Sequence, residues 1–156
     1  MFAVHEASEQ DTDRAVAAAK AAQPAWAALN VEERGKYFKK LAALVREHDK
    51  EFAELEAMSM GHPVGTYWHG EVCADAFDHY SEAGYNMQGT SSLNTPGYVN
   101  LTFRQPYGVV AVIIPWNVPL VFFAKKVAPA VIVGNTVVLK SSEKAPLTVY
   151  ISGLQW

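Results

Sequence analysis

Residues 109–140 read VVAVIIPWNVPLVFFAKKVAPAVIVGNTVVLK, and this stretch sets the architecture of the chain. The continuous apolar run 109–114 is bounded by glycine and proline, which is typical of a strand buried on both faces. Residues 118–133 are long enough for a helix, and the β-branched run 136–139 follows as a second strand. A strand, a helix and a strand in this order predict a parallel βαβ unit.

The segments on either side of this unit carry weaker patterns. Residues 91–97 have the composition of a loop, and residues 98–104 alternate in type as a half-exposed strand does, before a turn at 105–108. Residues 146–153 are expected to open another helix, with proline near its first turn. The predicted fold class is α/β: helices followed by the start of a doubly wound parallel sheet, which these 156 residues leave unfinished.

Upstream of residue 95 the sequence is helical in pattern and richer in charge. Ser8 and Asp11 have the spacing of a capping box, which marks the start of a helix. The run from Asp13 to Gln23 is rich in alanine, the best helix former, and Pro24 is expected to interrupt it. These features predict the first helix.

Two further helices are predicted before residue 95. The capping signature recurs at Asn30, and apolar residues then follow at three- and four-residue steps to Met58, which predicts one long amphipathic helix. A third periodic run extends from about Thr66 to near Gly89. The acidic residues on these helices are interpreted as solvated faces: Glu51, Glu54, Glu56, Asp75, Asp78 and Glu82.

Composition excludes several classes of function. Half of the residues are hydrophobic and the formal net charge is −3, so nothing favours a nucleic-acid partner. The most apolar stretch is interrupted by prolines, asparagines and lysines, so no membrane segment is expected. With a single cysteine and no basic leader pattern at the start, the expected location is a reducing compartment, the cytoplasm.

From Pro106 onward the sequence resembles the first cofactor-binding segment of the NAD(P)-dependent aldehyde dehydrogenase superfamily. The motifs that carry the resemblance are Pro106-x-Gly108-Val109, Ile114-Pro115-Trp116-Asn117-x-Pro119-Leu120, Ala128-Pro129-Ala130, Gly134-Asn135-Thr136-Val137-Val138, Leu139-Lys140-x-x-Glu143 and Pro146-Leu147-Thr148. The upstream helices, an arginine at position 34 and the turn Gly61-His62-Pro63 resemble the family more weakly. Ser141 and the final Gln155-Trp156 depart from the family pattern.

The resemblance implies oxidation of an aldehyde to a carboxylic acid with NAD, or with NADP, as the cofactor. Asn117 matches the family's side-chain donor to the developing oxyanion, although without the resemblance it reads as a turn-forming asparagine. Lys140 and Glu143 would bind the adenosine ribose, and the charge of Glu143 would disfavour a 2′-phosphate. Their alternative interpretation is an exposed surface ion pair of little energetic consequence.

Ile114, Pro115 and Trp116 match positions that line the family's cofactor channel, but as isolated residues they would be core. Gly134-Asn135-Thr136 lacks the spacing of a phosphate loop and is interpreted as a turn into the strand. Cys73 lies far upstream of the family's nucleophile and is interpreted as a semi-buried thiol. Among the nearby histidines and cysteine, only His69 and Cys73 share a helix face, so no metal site is predicted.

The chain covers a minority of the family's length, so the expected organisation is that of an amino-terminal fragment. Residues 1–95 would be a helical segment, residues 96–108 a strand and turn of the kind used in oligomers, and residues 109–156 the first part of the Rossmann-like domain. The nucleophilic cysteine and general-base glutamate would lie elsewhere, so the isolated chain should be inactive. A homo-oligomer is expected of the complete enzyme. The alternative is a non-catalytic interaction module.

Overall fold

The computed structural model describes residues 4–149, which form helices and two small sheets. The α-helices are α1 Glu9–Ala28, α2 Val31–Glu47, α3 Asp49–Met60, α4 His69–Ala83 and α5 Pro119–Ile132. The strands are β1 Ser91–Ser92, β2 Asn100–Leu101, β3 Val109–Ile113 and β4 Thr136–Lys140. Short 3₁₀ turns occupy Val64–Thr66 and Gly84–Asn86.

The predicted βαβ unit is confirmed. Strands β3 and β4 pair in parallel, in a register that runs from Val109 opposite Thr136 to Ile113 opposite Lys140. Helix α5 connects them and begins at Pro119, a residue whose fixed φ and missing N–H suit the first helical position. The chain leaves the helix through Gly134 at φ 95°, a conformation that side-chain-bearing residues rarely adopt.

The segment predicted as a strand at 98–104 is shorter in the structure. Only Asn100–Leu101 is strand, and it pairs antiparallel with Ser91–Ser92, which the sequence had placed in a loop. The pairing is extended by the Thr90 and Thr102 hydroxyl oxygens, 2.9 Å apart. The Thr102 N–H also donates to the Thr90 carbonyl at 2.9 Å, so the pairing extends one residue past β2, and residues 98–104 are exposed throughout.

Helix α1 continues through Pro24 to Ala28, so the predicted stop at this proline is wrong. The last turn is held from outside the helix. The Trp26 indole donates to the Val131 carbonyl at 2.8 Å, and the Gln23 amide donates to the Gly134 carbonyl at 3.2 Å. These contacts compensate for the backbone hydrogen bond that proline cannot make.

The predicted second helix is two helices, α2 and α3, which meet at His48 with φ −99° and ψ 12°. The break turns the α3 face that contains Phe52 and Glu56 into the interior, where both side chains are buried. The third helix is also shorter than predicted, because Tyr67 is extended and α4 begins only at His69. Of the helix expected at 146–153, residues 147–149 are helical, and residues 150–153 lie outside the described part of the chain.

One hydrophobic core lies between α2, α3, α4 and α5. The Phe38 and Phe77 rings meet edge to face, with centroids 5.5 Å apart. The buried members are Phe38, Ala42, Val45, Phe52, Cys73, Ala74, Phe77, Leu120, Ala124, Ala128 and Ile132. Because α5 contributes to this core, the crossing helix of the βαβ unit is packed against the upstream helices. Among residues 4–149, no helix combines the length and apolar character that crossing a bilayer requires.

A buried arginine ties the carboxyl end of α5 to the end of α1. The Arg34 Nε donates to the Ile132 carbonyl at 2.8 Å. Its Nη1 donates to the carbonyl of Ala27 at 3.3 Å and to that of Leu29. Carbonyls at helix ends lack intrahelical donors, so this guanidinium satisfies groups that would otherwise be buried without partners.

Replacing this arginine should destabilise the fold strongly. In Arg34→Met the apolar stem is retained but the buried carbonyls lose their donor, and we expect the free energy of unfolding to fall by about 3 kcal/mol. Urea denaturation followed by circular dichroism measures the change. The matched control is Lys36→Met, which removes an exposed ion pair with Glu32 and should change stability by less than about 0.5 kcal/mol. Equal losses in the two variants would contradict this role for Arg34.

Candidate functional site

The predicted site residues lie at one edge of the parallel sheet. Ile113 and Lys140, which end β3 and β4, are register partners, and the Ile114 N–H donates to the Lys140 carbonyl at 3.2 Å. The loops 114–118 and 141–145 therefore leave the sheet side by side. In open α/β sheets, ligands bind outside the carboxyl ends of parallel strands, which is where these loops lie.

The first loop contributes Ile114, Pro115 and Trp116. Ile114 is 3% exposed and packs with the residues beneath the sheet edge, whereas Trp116 is 50% exposed. The Lys144 ammonium from the second loop lies 5.9 Å from the Trp116 ring centroid, so a cation–π contact links the two loops. At this edge of the sheet, Ile114 is therefore buried, and the Trp116 ring provides an accessible aromatic surface.

Asn117 follows on the same loop and is exposed, just before the amino terminus of α5. Among the described residues its side-chain amide has no hydrogen-bond partner, so its N–H groups are free to donate. The amino end of a helix carries a partial positive charge. An amide donor beside that end is suited to stabilising negative charge on a ligand oxygen.

The last residue of β4, Lys140, and Glu143 from the second loop form the other part of the site. The Lys140 Nζ and Glu143 Oε2 atoms are 3.7 Å apart, and both side chains are about two-thirds exposed. The backbone N–H of Glu143 lowers the pKa of its carboxyl, with further lowering from Lys140 and Lys144. The carboxylate is therefore ionised at neutral pH, and its exposed ion pair is weak enough to exchange for a ligand. An acceptor beside a donor matches the hydroxyl pair of a ribose.

Asn135 lies at the other end of the strands, directly before β4, and its buried side chain stabilises the βαβ unit. Its side chain is buried, accepts from the Gly108 N–H at 3.0 Å and donates to the Ala130 carbonyl at 2.9 Å. The Thr136 hydroxyl donates to the Ala19 carbonyl at 2.9 Å. These contacts fix the start of β4 against α1 and α5. They fit the interpretation of 134–136 as a turn into the strand.

The structure corrects one interpretation on α3. Glu56 was assigned to a solvated face, but its side chain is fully buried and hydrogen-bonds the Nδ1 of buried His69. The two residues are 13 positions apart on different helices, so no local spacing could have revealed the pair. Of the other residues predicted to be solvated, Asp78 is half-exposed and four are exposed: Glu51, Glu54, Asp75 and Glu82. Asp75 and Asp78, together with the exposed Glu71, surround Arg46 at 2.7 to 3.0 Å from its guanidinium nitrogens.

Cys73 is more deeply buried than the predicted semi-buried thiol. It is 0% exposed, in the core between α3 and α4. Burial raises the pKa of the thiol, and the nearby Glu56 raises it further. A cysteine nucleophile must reach its substrate as a thiolate, so this environment is unsuited to one. Within residues 4–149, no cluster of three or more histidine, cysteine, aspartate or glutamate side chains has an arrangement suited to a metal ion.

Comparison with known proteins connects this geometry to a family. A model described as the aldehyde dehydrogenase family matches residues 1–153. Among curated proteins, an aldehyde dehydrogenase of Aspergillus niger is 38% identical over 151 residues, which are 95% of this chain and 30% of that protein. The chain therefore spans about 30% of the length of such relatives.

Solved structures show the same arrangement of elements. A crystal structure of PnpE in complex with nicotinamide adenine dinucleotide superposes with a TM-score of 0.87 at 40% identity, over 92% of this chain and 30% of that chain. An NADP dependent enzyme of E. coli superposes with a TM-score of 0.87 at 29% identity, over 93% of this chain and 31% of that chain. Both cofactor types thus occur among proteins with this fold.

The burial of Cys73 predicts that its thiol reacts slowly in the folded protein. In the native protein Cys73 should react with a thiol reagent such as dithionitrobenzoate far more slowly than in urea, because a buried thiol of raised pKa is neither exposed nor ionised. Absorbance of the released chromophore measures the rate, and Cys73→Ser is the control for background. Rapid reaction of the folded protein at neutral pH would refute the structural role assigned to this thiol.

Proposed function

Because the chain belongs to the aldehyde dehydrogenase family, we propose that it is the amino-terminal part of an oxidoreductase that oxidises an aldehyde to a carboxylic acid with NAD⁺ or NADP⁺. The observation that carries this proposal is that Asn117 and Glu143 lie in adjacent loops beside Lys140, at the carboxyl ends of β3 and β4. Bound there, the cofactor would supply a hydride acceptor.

Asn117 is proposed to stabilise the substrate oxygen. When a nucleophile adds to an aldehyde, the carbonyl oxygen gains negative charge, and the exposed Asn117 amide N–H would donate to it. The nucleophile and the general base are expected from a part of the enzyme outside these 156 residues, since Cys73 is buried. The chain alone is therefore expected not to turn over aldehyde.

Lys140 and Glu143 are proposed to hold the adenosine ribose. The ammonium would donate to a ribose hydroxyl and the ionised carboxylate would accept from the 2′- and 3′-hydroxyls. A carboxylate at this position repels a 2′-phosphate, which favours NAD over NADP. Ile114, Pro115 and Trp116 would line the channel through packing and backbone groups, with the exposed Trp116 ring as the accessible surface.

A second candidate function, an interaction module, is favoured by exposed apolar residues on and around β1 and β2. Several side chains there are more than half exposed: Leu93, Tyr98, Val99, Leu101, Phe103 and Tyr107. Pairing along this strand would fit a homo-oligomer of the complete enzyme or a separate non-catalytic product. A monomeric 156-residue chain in light scattering would contradict the separate product. The cytoplasm is the proposed location, since the one cysteine is a free thiol.

The role of Asn117 can be tested in the complete enzyme that contains this segment. Asn117→Ala should lower kcat for aldehyde oxidation by about 10²- to 10³-fold, because it removes one donor to the oxyanion. The KM for the cofactor should change little. Steady-state kinetics with a small aldehyde measures both values. The matched control is the exposed Asn86→Ala, which should retain activity, and an unchanged kcat in Asn117→Ala would exclude the proposed role.

The role of Glu143 predicts a change in cofactor preference. In the complete enzyme, Glu143→Gln should weaken NAD⁺ binding by about tenfold and reduce discrimination against NADP⁺, because the repelling charge is removed while an acceptor oxygen stays. Fluorescence titration with each cofactor measures the two dissociation constants. Glu47→Gln, an exposed change at the end of α2, is the control. If both dissociation constants are unaffected in Glu143→Gln, the proposed hydrogen bonds between Glu143 and the ribose hydroxyls are excluded.

A further inference from the structure

A lysine on α5 holds the backbone at the end of β3. The Lys126 Nζ donates to the Ile113 carbonyl at 2.9 Å, and Ile113 is the last residue of β3. The two residues are 13 positions apart and are joined by the loop 114–118 and the first half of α5. Because Lys126 belongs to the helix that follows the loop, this hydrogen bond ties the two ends of the loop together.

The peptide unit between Ile113 and Ile114 is held on both sides. The Ile114 N–H donates to the Lys140 carbonyl at 3.2 Å, toward β4. A trans peptide unit points its N–H and its C=O in opposite directions, so the Ile113 carbonyl points away from β4. At that outer edge no strand pairs with β3 among the described residues, and Lys126 supplies a charged donor instead. The loop therefore begins at a peptide unit whose plane is fixed.

A second contact orders the Lys126 side chain. The Lys126 Nζ lies 5.8 Å from the ring centroid of Phe122, one helical turn earlier on α5, which is within the range of a cation–π contact. The half-buried Phe122 packs against the buried cluster that contains Val112 and Ile114. The ammonium is therefore held beside a ring that is itself packed against the end of β3.

The neighbouring lysine of α5 lacks these contacts. Lys125 and Lys126 are the two charged residues of this otherwise apolar helix, and both are exposed. In the part of the chain that the structure describes, the Lys125 side chain makes no hydrogen bond, ion pair or cation–π contact, whereas Lys126 contacts both Ile113 and Phe122. Lys125 thus provides a matched control with the same charge on the same turn of the helix.

We propose that Lys126 is a positioning residue for Asn117: its hydrogen bond to the Ile113 carbonyl fixes the start of the loop 114–118, and so the place where the Asn117 amide meets the substrate oxygen. This inference rests on the proposed function of Asn117. Asn117 is three residues after Ile114, so the two Cα atoms lie within about 11 Å of each other. A displacement of about 1 Å at a reacting centre can cost about 10²-fold in rate.

The test is a double-mutant cycle in the complete enzyme that contains this segment. Lys126→Met keeps the apolar stem but removes the donor, and we expect it to lower kcat for aldehyde oxidation about tenfold, while the KM for NAD⁺ changes less than about twofold. On an Asn117→Ala background the same substitution should lower kcat by less than about twofold, because the amide that Lys126 positions is already absent. The control, Lys125→Met, should show no coupling to Asn117→Ala.

A conservative variant separates the hydrogen bond from the rest of the side chain. Lys126→Arg retains a charged donor, and its kcat should lie within about threefold of that of the unsubstituted enzyme. A Lys126→Met loss of equal size on both backgrounds would show that the ammonium acts other than through Asn117, and would overturn the inference. A kcat as low in Lys126→Arg as in Lys126→Met would also overturn it.

Backbone amide exchange provides a readout independent of activity. Lys126→Met should accelerate exchange of the Ile114 N–H, because the opposite side of its peptide unit has lost its donor, and Lys125→Met should not. Exchange at Val45, buried in the core on α2, should stay unchanged in both variants. Unchanged exchange at Ile114, or equal acceleration at Ile114 and Val45 from a general loss of stability, would contradict the proposed positioning.

The outcomes separate this inference from the proposed function. If Asn117→Ala alone leaves kcat unchanged, the proposed role of Asn117 is wrong, and a positioning role toward it is wrong with it. If Asn117→Ala lowers kcat but Lys126→Met shows no coupling to it, the proposed function stands and the inference about Lys126 fails.

Discussion

The parallel pairing of β3 with β4 is the constraint on which the rest of the structure depends. Parallel strands cannot be joined by a tight turn, so the chain must cross back along the sheet, and α5 makes this crossing. The carboxyl end of α5 is then fixed by side chains from far upstream, because Arg34 and Trp26 donate to the carbonyls of Ile132 and Val131. The candidate site lies at the edge where α5 begins.

The βαβ unit could be predicted from sequence because its signals are local. The apolar run, the helix-length segment and the second β-branched run each lie within a short window, and together they gave the order and direction of the strands. Placing Asn117, Lys140 and Glu143 at one edge required only the rule that parallel strands end together. Their specific roles came from the family resemblance, because an exposed asparagine and an exposed ion pair have ordinary structural interpretations.

The features that sequence reasoning missed depend on contacts between distant residues. Pro24 was expected to end a helix, but contacts with distant residues stabilise the turn beyond it, among them the hydrogen bond of Trp26 to a carbonyl 105 positions away. Glu56 has the pattern of a solvated acidic face, and its burial follows from the break at His48, which turns α3 inward. Periodicity reports which residues share a face, but it does not report which face the neighbouring helices will cover.

The start of α5, which no side chain caps, fits the chemistry proposed for the site. Asparagine is among the best residues for capping a helix from within the chain. At the start of α5, however, Asn117 precedes the N-cap, and its amide has no partner among the described residues. If Asn117 capped the helix, its side chain would be engaged with the backbone and could not donate to a substrate oxygen. The structure avoids this conflict, because no side chain caps α5 and the first helical position is occupied by Pro119, which has no N–H to satisfy.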